Sequence, residues 1–405
     1  MSRNQKKKLM LISPMLHQGG FERVCVTTAR LMEQYFDITI IIFDSADIAY
    51  NVEGLKIVDL KLGVQKGKVK KLLNIIKRSR RLRQLKKELK PDIAYSFGLT
   101  ANMVNAFSKT SETKVWLGLR SYADVEEKVK IRLFTRRADL IICCSKEIEM
   151  VLKNEYRYDK TAVLYNSYDV ESIRREAWEK EPDIPWEEAG QPKGKLRYLV
   201  SMGRDDDLKG FWHMLKVFAL VHERLPETRL MILGEGSFEH YKKLAGELGI
   251  ENAVYFAGMQ KEPYQYLKKG EIYLLTSHTE GFPNALVEGM ALGLAAVSVN
   301  CKTGPAEILL KEGDSITLDR QMQEEGRDVV YGEYGILLPA MGKECNLDPG
   351  EREPLEERMA QVVSELLLDE RTLKKYQEAA VERAQLFTYD NYIDQFLKLA
   401  EKGTE

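Results

Sequence analysis

Short apolar runs recur along this chain, each followed by a segment with helical spacing, and the alternation runs through it twice. In the first half Leu9-Met10-Leu11-Ile12, Ile38 to Phe43, Asp92 to Phe97, Lys114 to Leu117, Asp139 to Cys143 and Thr161 to Leu164 read as strands, with Lys56 to Leu60 a weaker one. Near-continuous apolar runs belong to strands buried on both faces, and the helices between them supply the crossovers of a parallel sheet. In the second half Leu196 to Ser201, Arg229 to Leu233, Val254 to Ala257, Ile272 to Leu275 and Ala295 to Val299 repeat the pattern. The expected fold class is α/β, two doubly wound domains with ligands at the carboxyl ends of strands and an interdomain cleft between them. A chain of 405 residues suffices for two domains at about 150 residues each. The expected boundaries are 1–168 for the first domain, 169–194 for a linker punctuated by Pro182, Pro185, Gly190, Pro192 and Gly194, and 195–380 for the second. Residues 381–405 read as a C-terminal helix packing back toward the first domain.

Within the second domain one turn stands out. The run Ile272 to Leu275 leads into Glu280-Gly281-Phe282-Pro283-Asn284-Ala285-Leu286-Val287-Glu288, then Gly289-Met290-Ala291-Leu292-Gly293. Pro283 suits a first helical turn, where its missing N–H is not needed, and Gly293 suits a helix end. A helix N-terminus offers unpaired N–H groups and about half a positive charge, an anion site. One carboxylate stands before it and a second follows eight residues later. That suits a ligand with phosphates at one end and hydroxyls at both sides, a nucleotide sugar. An ordinary strand-to-helix connection with two surface glutamates has the same spacing.

Three other strand-end turns join the candidate site. Gly19-Gly20-Phe21-Glu22-Arg23 lies at the first such turn, where glycines let backbone approach a phosphate or sugar closely; a tight turn explains it equally. Ser201 to Gly210 is the corresponding turn of the second domain, where Arg204 and Lys209 offer a fork and a point charge to a diphosphate. Asp205, Asp206 and Asp207 invite a metal reading, since hard cations take carboxylate oxygens. Their basic neighbours favour a solvated loop with local pairing instead, and no metal is expected. Leu233-Gly234-Glu235-Gly236 reads as a plain turn bordering the site. His17, His213, His222, His240 and His278 are dispersed, and none pairs at metal-motif spacing.

Charge is unevenly divided. Residues 1–150 hold 29 Lys+Arg against 16 Asp+Glu, a net +13, and the remainder 32 against 46, a net −14. Lys61 to Lys90 carries thirteen basic residues and one acid, Glu88. Val69, Leu72, Leu73, Ile76, Leu82, Leu85 and Leu89 keep roughly helical spacing within it. The segment fits either a helix lying on an anionic membrane or a crossover helix with its apolar stripe on the sheet and its basic face in water. It has no aromatic residues to stack bases, so nucleic acid is not an expected partner. Cys25, Cys143, Cys144, Cys301 and Cys345 form an odd, scattered set with neither disulfide framework nor metal spacing, which fits a reducing compartment. No apolar run approaches the ~18 residues of a membrane span. Leu9 to Ile12 is too short for a signal core and stops at Pro14. A cytoplasmic chain, peripheral on the membrane's inner face, is the expectation.

Taken together, Glu280 to Glu288 in its setting, Gly304-Pro305-Ala306-Glu307-Ile308, Gly203-Arg204 with Lys209-Gly210, and Gly19 to Val24 resemble the GT-B glycosyltransferases of the large retaining family four. Leu164-Tyr165-Asn166-Ser167-Tyr168-Asp169 is similar to the segment that ends the family's first domain. The resemblance implies the GT-B fold, two Rossmann-like domains. It implies that Arg204 and Lys209 hold the donor diphosphate and stabilise its charge as it leaves. Glu280 would contact the donor sugar's hydroxyls and Glu288 would accept from the ribose. Gly281, Phe282, Pro283, Asn284, Ala285 and Leu286 would line the sugar and phosphate, Gly258 and Met259 would border the base, and the Gly19-Gly20 backbone would close over the phosphates. Retention by same-face attack needs no protein nucleophile and no cofactor.

One departure is visible. Many members carry a histidine after the first domain's fourth strand, where this chain reads Ser96-Phe97-Gly98-Leu99-Thr100-Ala101-Asn102. That resembles a subset building bacterial surface glycans on lipid carriers. The expected function is transfer of a hexose or N-acetylhexosamine from a UDP-linked donor to a lipid-linked saccharide of a capsule, O-antigen or related polymer. The alternatives are transfer to a protein, teichoic acid or simple lipid acceptor, a sugar-nucleotide epimerase, and a non-catalytic glycan- or nucleotide-binding module.

Overall fold

The computed structural model describes residues 6–17, 19–188, 196–313, 318, 322 and 326–402. The chain divides into two compact units, Met1–Ser167 with Tyr389–Glu405, and Tyr168–Thr388. The first runs through β1 (Lys7–Ser13), α1 (Gly20–Met32), β2 (Phe36–Ile42), β3 (Ile57–Asp59), α2 (Lys68–Leu89), β4 (Ile93–Phe97), α3 (Leu99–Phe107), β5 (Lys114–Leu119), α4 (Tyr122–Glu126), α5 (Lys128–Thr135), β6 (Leu140–Cys143), α6 (Lys146–Tyr156) and β7 (Thr161–Val163). Among the described residues its sheet has the order β3-β2-β1-β4-β5-β6-β7, parallel throughout. The parallel order follows from the sequence: Leu9 to Ser13 and Ile38 to Ile42 are buried without alternation, as a sheet covered on both faces requires.

The second unit contains α7 (Val170–Glu179), α8 (Pro185–Glu188), β8 (Arg197–Met202), α9 (Phe211–Arg224), β9 (Thr228–Leu233), α10 (Glu239–Glu247), β10 (Val254–Gly258), α11 (Pro263–Leu267), β11 (Ile272–Leu275), α12 (Asn284–Ala291), β12 (Ala295–Asn300), α13 (Pro305–Leu309), β13 (Val330–Tyr331), β14 (Ile336–Pro339), α14 (Pro354–Leu368) and α15 (Glu370–Ala384). Its order, among the described residues, is β10-β9-β8-β11-β12-β14-β13, parallel except for the β13–β14 edge pair. In both sheets the order reverses beside the first strand, the switch point at which doubly wound sheets bind ligands. Helix α9 is buried from Phe211 to Val221 and packs on α10 and α14.

Two segments differ from the sequence reading. The stretch read as a linker holds α7, capped by Asp169, whose Oδ1 accepts from Ser172 N–H at 2.9 Å. Its buried face, Val170, Ile173 and Ala177, packs on α11 and α12, and Arg174 donates to Ala291 O at 2.9 Å. The proline and glycine punctuation begins only after this helix, and residues 189–194 of the supposed linker lie outside the described residues. Residues 381–384 complete α15 within the second unit, and α16 (Tyr389–Lys402) starts the return to the first. There Tyr392, Phe396 and Ala400, spaced by four, fill the face of the sheet that α1 covers. The Phe396 ring lies 6.0 Å from Phe36 and 5.6 Å from Trp116.

Candidate active site

The site residues of the second unit gather at the carboxyl ends of β8 and β11. After β8 the chain passes through Gly203 and Arg204 into a short 3₁₀ turn, Asp207–Lys209, capped by Asp206, whose Oδ1 accepts from Leu208 N–H at 2.9 Å. Gly210, at φ +60°, then reverses the chain into α9; a β-carbon there would stand 2.4 Å from Thr276 O, so only glycine allows this approach. Thr276 Oγ1 donates to Lys209 O at 3.1 Å and Gly210 O at 3.0 Å, and His278 N–H donates to Leu208 O at 2.8 Å. These bonds stitch the Lys209 turn to the chain leaving β11. They set Lys209 Nζ 2.6 Å from Glu280 Oε1, the lysine side chain 25% exposed and the glutamate 12%. The Lys209 stem lies over Gly203, where a β-carbon would meet it at 3.2 Å.

Arg204 sits differently. Its side chain is 69% exposed and its guanidinium is 4.0 Å from Asp206, a weak surface pairing. The loop beneath it is fixed: Gly203 N–H donates to Leu233 O and Asp205 N–H to Glu235 O, both at 2.8 Å. A β-carbon on Gly234 would fall 1.8 Å from Gly203 O, which is the reason for the glycine in that turn. The three aspartates have separate local tasks. Asp205 Oδ2 accepts from Phe238 N–H at 2.8 Å, Asp206 caps the 3₁₀ turn, and Asp207 Oδ1 accepts from Tyr241 OH at 3.3 Å. Among the described residues no group of three or more His, Cys, Asp or Glu side chains converges as a metal site.

Glu280 opens the turn into α12. Its N–H donates to Lys302 O at 3.3 Å, and Thr303 Oγ1 donates to its carbonyl. Gly304, at φ +100°, presses on Pro283, with room for no β-carbon. The Lys302 to Gly304 loop therefore clamps the Gly281-Phe282-Pro283 turn from beneath. Pro283 proves to be the N-cap rather than the first helical residue, and the helix begins at Asn284. The first turn of α12 leaves N–H groups outside the helix's own ladder, as any helix does. Asn284 Oδ1 accepts from Tyr168 OH at 2.6 Å, Ala285 is partly exposed, and Leu286 is buried beneath. Glu288 lies one turn on, 2% exposed, and its Oε1 accepts from Tyr264 OH at 3.3 Å. Gly258, at φ +67°, accepts from Gly234 N–H at 2.9 Å, and Met259 beside it is half exposed.

Four supports escaped the sequence reading: Thr276, Tyr264, Tyr273 and the pair His213 and Glu356. Tyr273 OH accepts from Met202 N–H at 3.1 Å, and burial pushes its pKa well up. His213 Nδ1 and Glu356 Oε1 are 2.6 Å apart, both fully buried. Gly342 O faces His213 Nε2 at 2.8 Å, and Lys216 Nζ donates to Glu351 O at 2.7 Å. These bonds fasten the 339–355 segment onto α9, the helix that follows the Lys209 turn. His278 is buried against Trp212, ring centroids 5.0 Å apart. Burial, then His213 and Lys343, lowers its pKa to about 4. A single tyrosine or threonine in or beside a helix or strand carries no spacing signal, so these could not be found from sequence.

The residues singled out in the first unit have their own surroundings. Gly19 N–H donates to Tyr50 OH at 3.0 Å, Gly19 O accepts from the same hydroxyl at 2.7 Å, and Gly20 begins α1 with its backbone exposed. In the segment lacking the family's histidine, Ser96 Oγ donates to Asn102 Oδ1 at 2.8 Å and Asn102 Nδ2 to Gly118 O at 2.8 Å. Asn105 joins the network, bonding Ala94 O at 2.8 Å and accepting from Lys86 Nζ at 2.7 Å. These polar groups tie β4, β5, α2 and α3 together.

Comparison with known proteins agrees with this geometry. The family model Glycosyltransferase Family 4 matches residues 18–172, and Glycosyl transferases group 1 matches residues 184–324. The chain is 29% identical over 354 residues to an uncharacterized glycosyltransferase of Methanocaldococcus jannaschii, covering 82% of this chain and 84% of that one. It is 25% identical over 397 residues to the N-acetylgalactosamine-N,N'-diacetylbacillosaminyl-diphospho-undecaprenol 4-alpha-N-acetylgalactosaminyltransferase of Campylobacter jejuni, covering 94% and 96%. In fold it is similar to Anabaena HepE, solved with UDP, at a TM-score of 0.73, 17% identity and coverage of 98% and 100%. With matches to both halves, the paired Lys209 and Glu280, and two doubly wound sheets, this chain belongs to the family-four, group 1 glycosyltransferases of GT-B fold.

Proposed function

We propose that this glycosyltransferase moves a hexose or N-acetylhexosamine, with retention, from a UDP-linked donor to a lipid-linked saccharide in capsule, O-antigen or related polysaccharide synthesis. The observation that carries the reading is the largely buried Lys209–Glu280 pair at 2.6 Å, set at the turn that opens α12. In the reaction the bond from C1 of the sugar to the diphosphate oxygen breaks, and its electron pair leaves with the diphosphate. Positive charge then builds on the ring. Lys209 and Arg204 meet the leaving charge, and the N-terminus of α12 adds its dipole. A diphosphate competes with Glu280 for Lys209, and as it wins, the Glu280 carboxylate turns to the sugar's hydroxyls. Glu288, held by Tyr264, takes the ribose hydroxyls. The acceptor oxygen bonds C1 on the face the diphosphate leaves, and its proton passes to the departing phosphate. Fixed cations do the work that a metal does elsewhere, so no cofactor is needed.

The relatives support the donor and acceptor classes. The Campylobacter enzyme is named for an undecaprenol-diphosphate-linked saccharide, and HepE was solved with UDP. Under this proposal the reaction runs in the cytoplasm at the inner face of the cell membrane. The test is to incubate the enzyme with UDP-sugars and a lipid-linked saccharide, following UDP release and the product's anomeric configuration. UDP release that depends on acceptor, with retained configuration and no loss in EDTA, is expected. An inverted product overturns retention. Conversion of the donor without acceptor identifies an epimerase, and binding without turnover a non-catalytic module.

A further inference from the structure

Helix α2 is longer than the sheet it crosses. Its 22 residues span about 33 Å, whereas β4 and β5, of five and six residues, span about 17 to 20 Å. The helix is anchored from its middle onward. Asn74 Nδ2 donates to Gly63 O at 2.8 Å, Arg78 Nε donates to Leu62 O at 2.8 Å, and the Arg78 guanidinium lies over the Phe43 ring at 4.5 Å. Leu82 and Leu85 are buried against the sheet. Because α2 runs back from the carboxyl end of β3 to the start of β4, its unanchored first turns lie at the carboxyl-end rim of the sheet.

The crossover reading of the basic segment holds for the second half of α2, where Leu82 and Leu85 are buried, and fails for the first. Val69, Leu72, Leu73 and Ile76 recur at i, i+3, i+4 and i+7, the spacing of one apolar helix face. A helix lying on the sheet along its whole length would bury that face. Here the four side chains are 72%, 59%, 51% and 41% exposed, and Val64 in the preceding loop is 70% exposed. Around them stand Lys66, Lys68, Lys70, Lys71 and Lys77, all exposed, and no acidic residue occurs from Lys61 to Lys87. Across α3, on which both α2 and α5 pack, α5 repeats the composition: Val129 is 73% and Leu133 44% exposed, beside Lys128 and Arg132.

We infer that the overhanging half of α2 docks on an anionic lipid bilayer. An exposed apolar stripe flanked by lysines, lying along a helix, is what interfacial helices present: the stripe enters the acyl boundary and the lysines meet lipid phosphates. A second copy of the same face would bring like charges together, and a nucleic acid would leave the apolar stripe in water. The inference rests on the proposed function only for the acceptor's lipid nature; the docking itself requires no sugar.

The test is co-sedimentation of the full chain with phosphatidylcholine vesicles, with or without phosphatidylglycerol. Binding to the anionic vesicles, weakened by high salt, is expected. Lys70→Gln with Lys71→Gln should weaken it about 30-fold, at about 1 kcal/mol for each lysine. Leu72→Ser with Leu73→Ser should weaken it at least about tenfold. Both pairs should leave thermal unfolding and UDP release with a short soluble acceptor unchanged, since these side chains touch neither core nor donor residues. Equal binding to neutral vesicles, or unaltered binding by the leucine variant, overturns the inference. So does a concentration-dependent dimer that the leucine variant dissolves, or tighter binding to RNA than to vesicles. Vesicle binding without any sugar transfer would sink the proposed function and leave the docking surface standing.

Discussion

Lys209 and Arg204 both carry positive charge, but their surroundings divide the work unequally. Lys209 is held by its own backbone bonds to Thr276 and points at Glu280, so its charge is fixed in place before any ligand arrives, as the proposed reaction requires. Arg204 is exposed, with only a weak surface pairing to Asp206, and in the proposed reaction the donor would have to order it. Lys209→Ala should therefore lower kcat by about 10² to 10³-fold, and Arg204→Ala should act more through KM; steady-state kinetics on the two variants separate these effects. His278 makes a different prediction. Its folded pKa, about 4, lies below its ordinary 6.5. Between those values the unfolded chain binds a proton that the folded chain does not. Stability should thus be full above pH 6.5 and fall toward pH 4, by up to roughly 3 kcal/mol from this group. Urea unfolding across that range should show a shallower slope for His278→Gln than for the unaltered chain.

Helix α12 works as an element because its approach to β11 is close. A β-carbon on Gly289 would stand 2.8 Å from the Tyr273 ring, itself buried and bonded to Met202. Gly289→Ala must push α12 outward or tilt the ring, at about 1–3 kcal/mol, and the displaced helix carries Glu288 with it. Denaturation midpoint and donor KM should worsen together; a normal KM in a destabilised variant would separate the packing of α12 from its ligand role. The 339–355 segment acts on α9 in a similar way. Its Gly342 and Glu351 carbonyls bond His213 and Lys216 of the helix that follows Lys209's turn, and Glu356, just beyond the segment, pairs with His213.

In the molecule as a whole, the first unit is incomplete without the end of the chain. Thr28 Oγ1 and Tyr392 OH share a hydrogen bond at 2.7 Å, and Phe396 is fully buried against Phe36, Tyr95 and Trp116. Phe396→Ala should cost about 3–5 kcal/mol, read by denaturant unfolding. Residues 1–167 expressed alone should expose that face and aggregate. Charge is likewise a property of the whole, with the excess of basic residues in the first half and of acidic residues in the second. Among the described residues no helix is long and apolar enough to cross a membrane.

The strands, their parallel pairing, the placing of Arg204, Lys209 and Glu280 at strand ends and that of Glu288 in the helix that follows were legible in the sequence, because they depend on short-range periods and on turn residues whose backbone demands are local. The linker was misread because proline and glycine mark where a helix stops, not whether one precedes them. Partnerships between distant residues were not legible: Lys209 meets Glu280 across 71 residues, and His213 meets Glu356 across 143. No local pattern encodes such a meeting, which depends on the order of strands in the sheet. Periodicity likewise showed that Val69, Leu72, Leu73 and Ile76 share one face of α2. Whether that face is covered depends on the length of the helix against the width of the sheet, a comparison that exists only once the chain has folded.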